Sequence, residues 1–308
     1  MNCFHTPVLV EEIRSYLPTA EATVGDFTVG GGGHAYAFLS SHPNLRLIGV
    51  DCDAEAIEAA QRRLRVFEGR FELHRSSFAE AAYRLKESGT RIHFILADLG
   101  FSSFQIDTPQ RGFSFLHEGP LDMRMNANTG TTAAHIVNRK SERELTRIIK
   151  QYGEEPFALK IAGRIAVERR RSPFKTTTAL AECVKRTIPK KRHSRRIHPA
   201  TKTFQALRIA VNDEIGELES LLQCAIDLLH SGGRIAVISF HSLEDRPVKR
   251  KFREWEYPCR CPTDLPRCVC GLKPRVRRLH RKVIQATGRE IASNPRARSA
   301  KLRIVEKL

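Results

Sequence analysis

The chain has 308 residues, 41% of them hydrophobic and 28% charged, a balance that builds a folded core and excludes collagen, coiled-coil and disordered chains. Its 52 Lys and Arg against 34 Asp and Glu leave a formal charge of +18, so the expected partner is a polyanion. Nucleic acid is favoured over a membrane, because no stretch approaches the roughly 20 apolar residues of a spanning helix and Glu11 and Glu12 stand where a signal peptide would be apolar, which makes the cytoplasm the expected location.

From residue 21 short β-branched runs alternate with helical stretches. The pattern predicts strands over Ala22–Val29, Arg46–Asp51, Phe71–His74 and Ile92–Asp98, with helices over His34–Leu39, Ala54–Phe67 and Ala79–Glu87 between them. Alternation at this spacing means right-handed βαβ units and a parallel sheet with helices on both faces. After Asp98 it stops: residues 99–132 are rich in Gly, Ser, Pro and Asn, and residues 133–203 are helical and increasingly basic. It returns with a helix over Phe204–Leu229 and a strand over Gly233–Phe240, followed by a helix over Leu243–Trp255 and a closing strand over Lys301–Val305. The interruption predicts an inserted helical domain, giving a core in two parts, 1–108 and 204–308, around residues 109–203.

The charge is localised. Residues 160–208 carry +13 and residues 246–308 carry +14, so the remainder sums to −9. A charge run is usually a solvated face, but an excess this large, with five Lys and Arg in Pro189-Lys190-Lys191-Arg192-His193-Ser194-Arg195-Arg196, favours a surface that contacts phosphates. Of the eight cysteines, Cys3, Cys52, Cys183 and Cys224 are scattered, which is no secreted disulfide framework. Cys259, Cys261, Cys268 and Cys270 form two Cys-x-Cys pairs. Zinc, a reversible disulfide and packed thiols all remain open for them, since zinc ligands are more often two to four residues apart; no metal ligand is assigned.

The first chemical constellation is Asp26-Phe27-Thr28-Val29-Gly30-Gly31-Gly32-Gly33-His34, a strand entering four glycines and a helix, with Asp51 ending the next strand 19 residues beyond Gly32. Glycines here let the backbone approach a ligand, and an acid at that place bonds a ribose diol in Rossmann-like sheets. NAD and S-adenosylmethionine share this topology. Carboxylates at Asp26 and Asp98 suit a cationic sulfonium better than a pyrophosphate, and the plain alternative for each is a helix cap or turn former. A long polar loop with several Phe follows Asp98, at the edge where open α/β sheets bind their ligands.

His5-Thr6-Pro7-Val8-Leu9, Gly31-Gly32-Gly33-His34, Asp98-Leu99-Gly100-Phe101-Ser102-Ser103, Arg111-Gly112-Phe113-Ser114-Phe115, Gly119-Pro120-Leu121-Asp122-Met123-Arg124-Met125, Tyr152-Gly153-Glu154-Glu155, His198-Pro199-Ala200-Thr201, Ser239-Phe240-His241-Ser242-Leu243-Glu244-Asp245-Arg246 and Asn294-Pro295-Arg296-Ala297-Arg298-Ser299 resemble, in order, the bacterial 16S ribosomal RNA cytosine-N4 methyltransferase family. The resemblance implies a class I S-adenosylmethionine-dependent methyltransferase sheet with an inserted helical domain. It also implies a cytoplasmic enzyme acting on the N4 of cytosine 1402 in the small-subunit ribosomal RNA. Carried over by position, the cofactor contacts fall on Gly32, Gly33, His34, Asp51, Phe78, Asp98 and Gln105. One departure is Phe27, where the family commonly has glycine between Asp and Thr.

Methylating a cytosine amino group requires an unstacked base and acceptors for the amino protons, because the nitrogen lone pair is delocalised into the ring. Asp98 is the candidate catalytic acceptor, helped by carbonyls of the Leu99–Ser103 loop, with Phe101 or Phe104 stacking on the base. His241 and Ser242 are expected at the cleft or as a capped turn. The competing readings are another nucleoside-cofactor enzyme, which would not need two basic regions, and a nonenzymatic ribosome-assembly factor, which would not need the glycine turn and Asp51.

Overall fold

The amino-terminal half alternates as its periodicity requires. Helix α1 (Val10–Arg14) precedes β1 (Ala22–Asp26), α2 (Gly33–Ser41), β2 (Leu45–Asp51), α3 (Ala54–Leu64), β3 (Phe71–Arg75), α4 (Phe78–Glu87) and β4 (Ile92–Asp98). Side-chain caps set two of the helix starts: Asp53 accepts from the Glu55 N–H and Ser77 from the Glu80 N–H. This computed structural model describes residues 6–128, 130–194, 197–262 and 269–308; Cys3, His5, Arg195, Arg196 and Cys268, singled out above, lie outside the described residues.

Residues 101–214 form a unit of their own, and the rest of the chain forms the other. The helical unit contains α5 (Ser103–Asp107), α6 (Ala133–Arg139), α7 (Glu142–Gly153), α8 (Ala158–Glu168), α9 (Thr177–Thr187) and α10 (Thr201–Asn212). Its core includes Leu145, Ile149, Ile161, Ile165, Leu180, Phe204 and Leu207. The expected single helix over Phe204–Leu229 is therefore two. Asp213 takes φ 47°, ending α10, and α11 (Glu214–Leu228) starts afresh. Because Phe204 and Leu207 are buried in the helical core, α10 belongs to that unit and not to the second part of the core, which was expected to begin at 204.

The sheet unit is completed by β5 (Leu229–Ser239), α12 (Ser242–Glu256), β6 (Val276–Arg278), α13 (Gly288–Ser293) and β7 (Lys301–Lys307). Its seven strands run in the order β3-β2-β1-β4-β5-β7-β6. The first five are parallel, while β7 is antiparallel to both β5 and β6, so the sheet is mixed where the alternation predicts a parallel one. This is a Rossmann-like sheet with an antiparallel strand inserted at one side. Both of its faces are covered, which β4 shows in its alternation: Phe94 and Leu96 join the core shared with α1, α2 and α3, while Ile95 and Ala97 join the one shared with α4, α11 and α12. Phe27 is fully buried in the second core against Val50 and Leu99, so the departure from the family's glycine is absorbed by packing below the turn. No helix among the described residues is long and apolar enough to cross a membrane.

Candidate active site

The strand order reverses between β1 and β4, and at such a switch point the carboxyl ends of neighbouring strands open a crevice. The glycine turn leaves β1 there. Gly32 sits at φ 76° and donates its N–H to the Val29 carbonyl at 2.8 Å. A Cβ on Gly32 would lie 3.3 Å from Ala60 Cα in α3, whereas one on Gly31 would meet nothing within 4 Å. The turn is thus pressed against α3 on one side and open on the other. No side chain caps the α2 start, and its first turn has no acid, so the N–H groups of that turn, at Gly33 and His34, suit an anionic group such as a carboxylate.

Asp51, at the end of β2, is held against this turn. Its Oδ2 accepts the Gly30 N–H at 3.0 Å and its Oδ1 the Asp53 N–H at 2.9 Å. Desolvation pushes its carboxyl up to about 6 against the opposing pull of those two bonds, although part of its surface stays accessible. The Asp51 carbonyl accepts the Ser76 N–H at 3.0 Å, tying β2 to the segment that leads into α4. Phe78 stands half-buried at the first position of that helix.

Across the switch point lie Asp26, His34 and Asp98. Asp26 is 1% exposed, and burial raises its carboxyl to about 6, with the charge of Asp98 adding to the rise and His34 opposing it. His34, 5% exposed, brings Nε2 to 3.4 Å from Asp98 Oδ2. Thr28 bridges the two strands, accepting the Asp98 N–H at 2.6 Å and donating to Asp26 Oδ1 at 3.3 Å. Sequence reasoning overlooked Thr28; its place two residues after Asp26, where a short hydroxyl can return to the carboxylate, is the signal that could have found it. After these contacts Asp26 Oδ2, Asp98 Oδ1 and both ring nitrogens of His34 remain buried without a hydrogen-bond partner. A buried orphan polar atom costs about 1–3 kcal/mol, and a group of them on three neighbouring residues fits polar ligands. The cationic end of S-adenosylmethionine suits the Asp26 carboxylate, and Asp98 Oδ1 is left for a further donor.

The other sequence-predicted residues have more local partners. Gln105 belongs to the helical unit, is 4% exposed, and closes a capping box with Ser102, whose N–H it accepts at 3.0 Å. His241 caps α12 in a reciprocal box with Glu244, which is the capped-turn alternative. Phe101 and Phe104 are 38% and 52% exposed, whereas Phe115 packs edge-on against Phe204. Gly112 is structural, because a Cβ there would lie 2.2 Å from the Pro120 carbonyl.

The basic regions divide as well. Arg208 lies over the Phe101 ring and is bound bidentately to Glu214 at 2.7 and 2.9 Å, and Arg169 donates to two backbone carbonyls. These cations hold the helical unit together. Lys190, Lys191 and Arg192 are exposed on a short 3₁₀ turn. In the sheet unit, Arg234 and Arg277 share Glu306, while Arg303 pairs with Asp245.

The MraW methylase family model matches residues 2–308. Among the chain's relatives, "Ribosomal RNA small subunit methyltransferase H" of Geobacter sp. (strain M21) is 50% identical over 307 residues, covering 99% of this chain and 98% of that protein. The protein of the same name from Geobacter sulfurreducens is 50% identical over 311 residues and covers both chains fully. That of Symbiobacterium thermophilum is 48% identical over 313 residues, covering 100% of this chain and 98% of the relative.

Proposed function

Because the chain belongs to the MraW methylase family and is an S-adenosylmethionine-dependent methyltransferase of small-subunit ribosomal RNA, we propose that its target atom is the exocyclic N4 of cytosine 1402, presented by 16S RNA or by the small ribosomal subunit. The observation that carries the reading is the set of partnerless buried polar atoms on Asp26, His34 and Asp98 at the sheet's switch point, on the strand ends and helix start that flank the glycine turn.

When bound, S-adenosylmethionine supplies a methyl group activated by the sulfonium charge. The N–H groups of Gly33 and His34 would hold its methionine carboxylate, Asp26 its cationic end, Asp51 the ribose hydroxyls through its remaining lone pairs, and Phe78 the adenine. In the proposed chemistry Asp98 Oδ1 accepts a hydrogen bond from the cytosine amino group, which localises the nitrogen lone pair. The N–CH3 bond would form as the methyl's bond to sulfur breaks and the sulfonium leaves as a neutral thioether, and the proton that the nitrogen loses would pass by way of Asp98 to solvent. His34, 3.4 Å from the other Asp98 oxygen, orients the carboxylate. Gln105 is assigned to the cofactor by position in the family pattern alone.

The test is transfer of labelled methyl from S-adenosylmethionine to 16S RNA and to small subunits isolated from cells lacking this protein, with the label located by nuclease mapping. Label in N4-methylcytidine at cytosine 1402 is expected. Label at another nucleoside overturns the target, and none on either substrate overturns the activity.

A further inference from the structure

Between α12 and β6 the chain makes a long excursion closed at its base. The Arg275 N–H donates to the Trp255 carbonyl at 2.8 Å, and Arg278 is paired with Glu256. None of the described residues from 257 to 275 is buried, so apolar burial does not hold this segment. Within it, the sulfur atoms of Cys259, Cys261 and Cys270 all lie within 4.8 Å of one another. The Val269 N–H donates to Cys261 Sγ at 3.4 Å, the kind of bond that orients and stabilises a thiolate at a metal. Burial pushes Cys52 and Cys183, elsewhere in the chain, up to about 12, which keeps them protonated.

We propose that Cys259, Cys261 and Cys270 bind a zinc ion that fixes the fold of this segment. Soft thiolate ligands select zinc among the abundant divalent ions, and thiolate-rich ligand sets are those that structural zinc sites use. One residue between ligands is closer than the usual spacing, and the convergence of the three sulfurs supplies what that spacing alone left open. Pro258 and Pro262 flank the first pair, and Gly271, at φ 65°, turns the chain directly after Cys270. Three thiolates on a divalent ion carry one net negative charge. Binding releases the three thiol protons to solvent, so retention weakens as pH falls. Where burial is absent, the binding free energy becomes the folding free energy of the segment. Cys268 completes the second Cys-x-Cys pair in sequence but lies outside the described residues, and the site rests on the three thiols named.

The full chain, purified under reducing, oxygen-free conditions, exchanged briefly against a mild chelator and desalted, is expected to retain about one zinc per chain by elemental mass spectrometry. Replacement by cobalt should give thiolate-to-cobalt charge-transfer absorption and intense tetrahedral d–d bands. C261S/C270S should lose at least tenfold in zinc retention while binding S-adenosylmethionine within twofold of the wild type, showing that the variant is folded. Zinc-free protein that takes up no metal on repletion, absence of the cobalt bands, unchanged zinc in C261S/C270S, or recovery of these thiols as a disulfide from the reducing preparation would each overturn the proposal. Failure of this site leaves the methyltransferase reading untouched, because the readouts are metal content and absorption, not turnover.

Discussion

Asp26 is a carboxylate whose position serves binding at the expense of folding. Its carboxyl is raised from 3.8 to about 6 by burial, so the fold holds this proton more tightly than the unfolded chain does. The corresponding stability is fully present below about pH 4 and is lost as pH rises through 6, a loss of about 3 kcal/mol. D26N removes that loss, and the cofactor-free variant should melt roughly 5 °C or more above wild type at pH 8, with little difference at pH 4. The same substitution should weaken S-adenosylmethionine binding. In wild type, calorimetric affinity should rise about tenfold from pH 5 to pH 7 for each carboxylate that must ionise, then level off. Asp51, also raised to about 6, contributes in the same window, so D26N should flatten the profile only in part. Wild-type affinity in D26N at pH 8 would remove Asp26 from the site. For Asp98 the expectation is kinetic: D98N should lower kcat by about a hundredfold or more with RNA affinity unchanged, and full turnover in a variant that binds both partners normally would end the acceptor role. Asp51 and Asp98 were legible in the sequence as acids closing predicted strands and Asp26 as the acid leading into the glycine turn, although the predicted strand ran on to Val29 and β1 ends at Asp26. Their buried partnerless oxygens and the Thr28 bridge were not, because those depend on which strands lie side by side.

Among the elements, the glycine turn separates fold from function within two adjacent residues. Gly32 is left-handed with Ala60 close by, whereas Gly31 faces open space. G32A should therefore lower the melting temperature by several degrees, with about 1–2 kcal/mol of backbone strain, while G31A should melt like wild type yet lose at least tenfold in cofactor affinity. Equal effects of the two on stability would mean that the open side of the turn is not where the ligand lies. Strands and helices up to Asp98 follow the predicted positions closely, because each is a strong period-2 or period-3.6 run with its own cap or turn. The misses have local physical causes. The break at Asp213 falls inside an apolar helical pattern and needs only one left-handed residue. Strand β6 spans three residues, Val276–Arg278, too few to show a period. The antiparallel direction of β7 is set by its pairing with β5, and periodicity carries no direction.

Across the whole molecule, the +18 charge resolves into cations that build the structure and cations left for a partner. Arg169, Arg208, Arg234 and Arg303 are committed to carbonyls or carboxylates, so the net charge of a region overstates its free cations. Lys190, Lys191 and Arg192 stand exposed on their turn. K190E/K191E/R192E should reduce affinity for 16S RNA and flatten its logarithmic salt dependence by about two to three, at 0.7 to 0.9 per phosphate contact, with S-adenosylmethionine affinity within twofold of wild type. Equal loss of both would contradict separate RNA-holding and cofactor-holding surfaces. The central claim, that this chain methylates a cytosine amino group in small-subunit ribosomal RNA, is tested most directly by mass spectrometry of nucleosides from that RNA. The RNA would come from cells lacking the protein and from the same cells with the wild type or D98N restored. The account predicts that N4-methylcytidine disappears, returns with the wild type, and returns weakly or not at all with D98N; an N4-methylcytidine level unchanged by loss of the protein would contradict it.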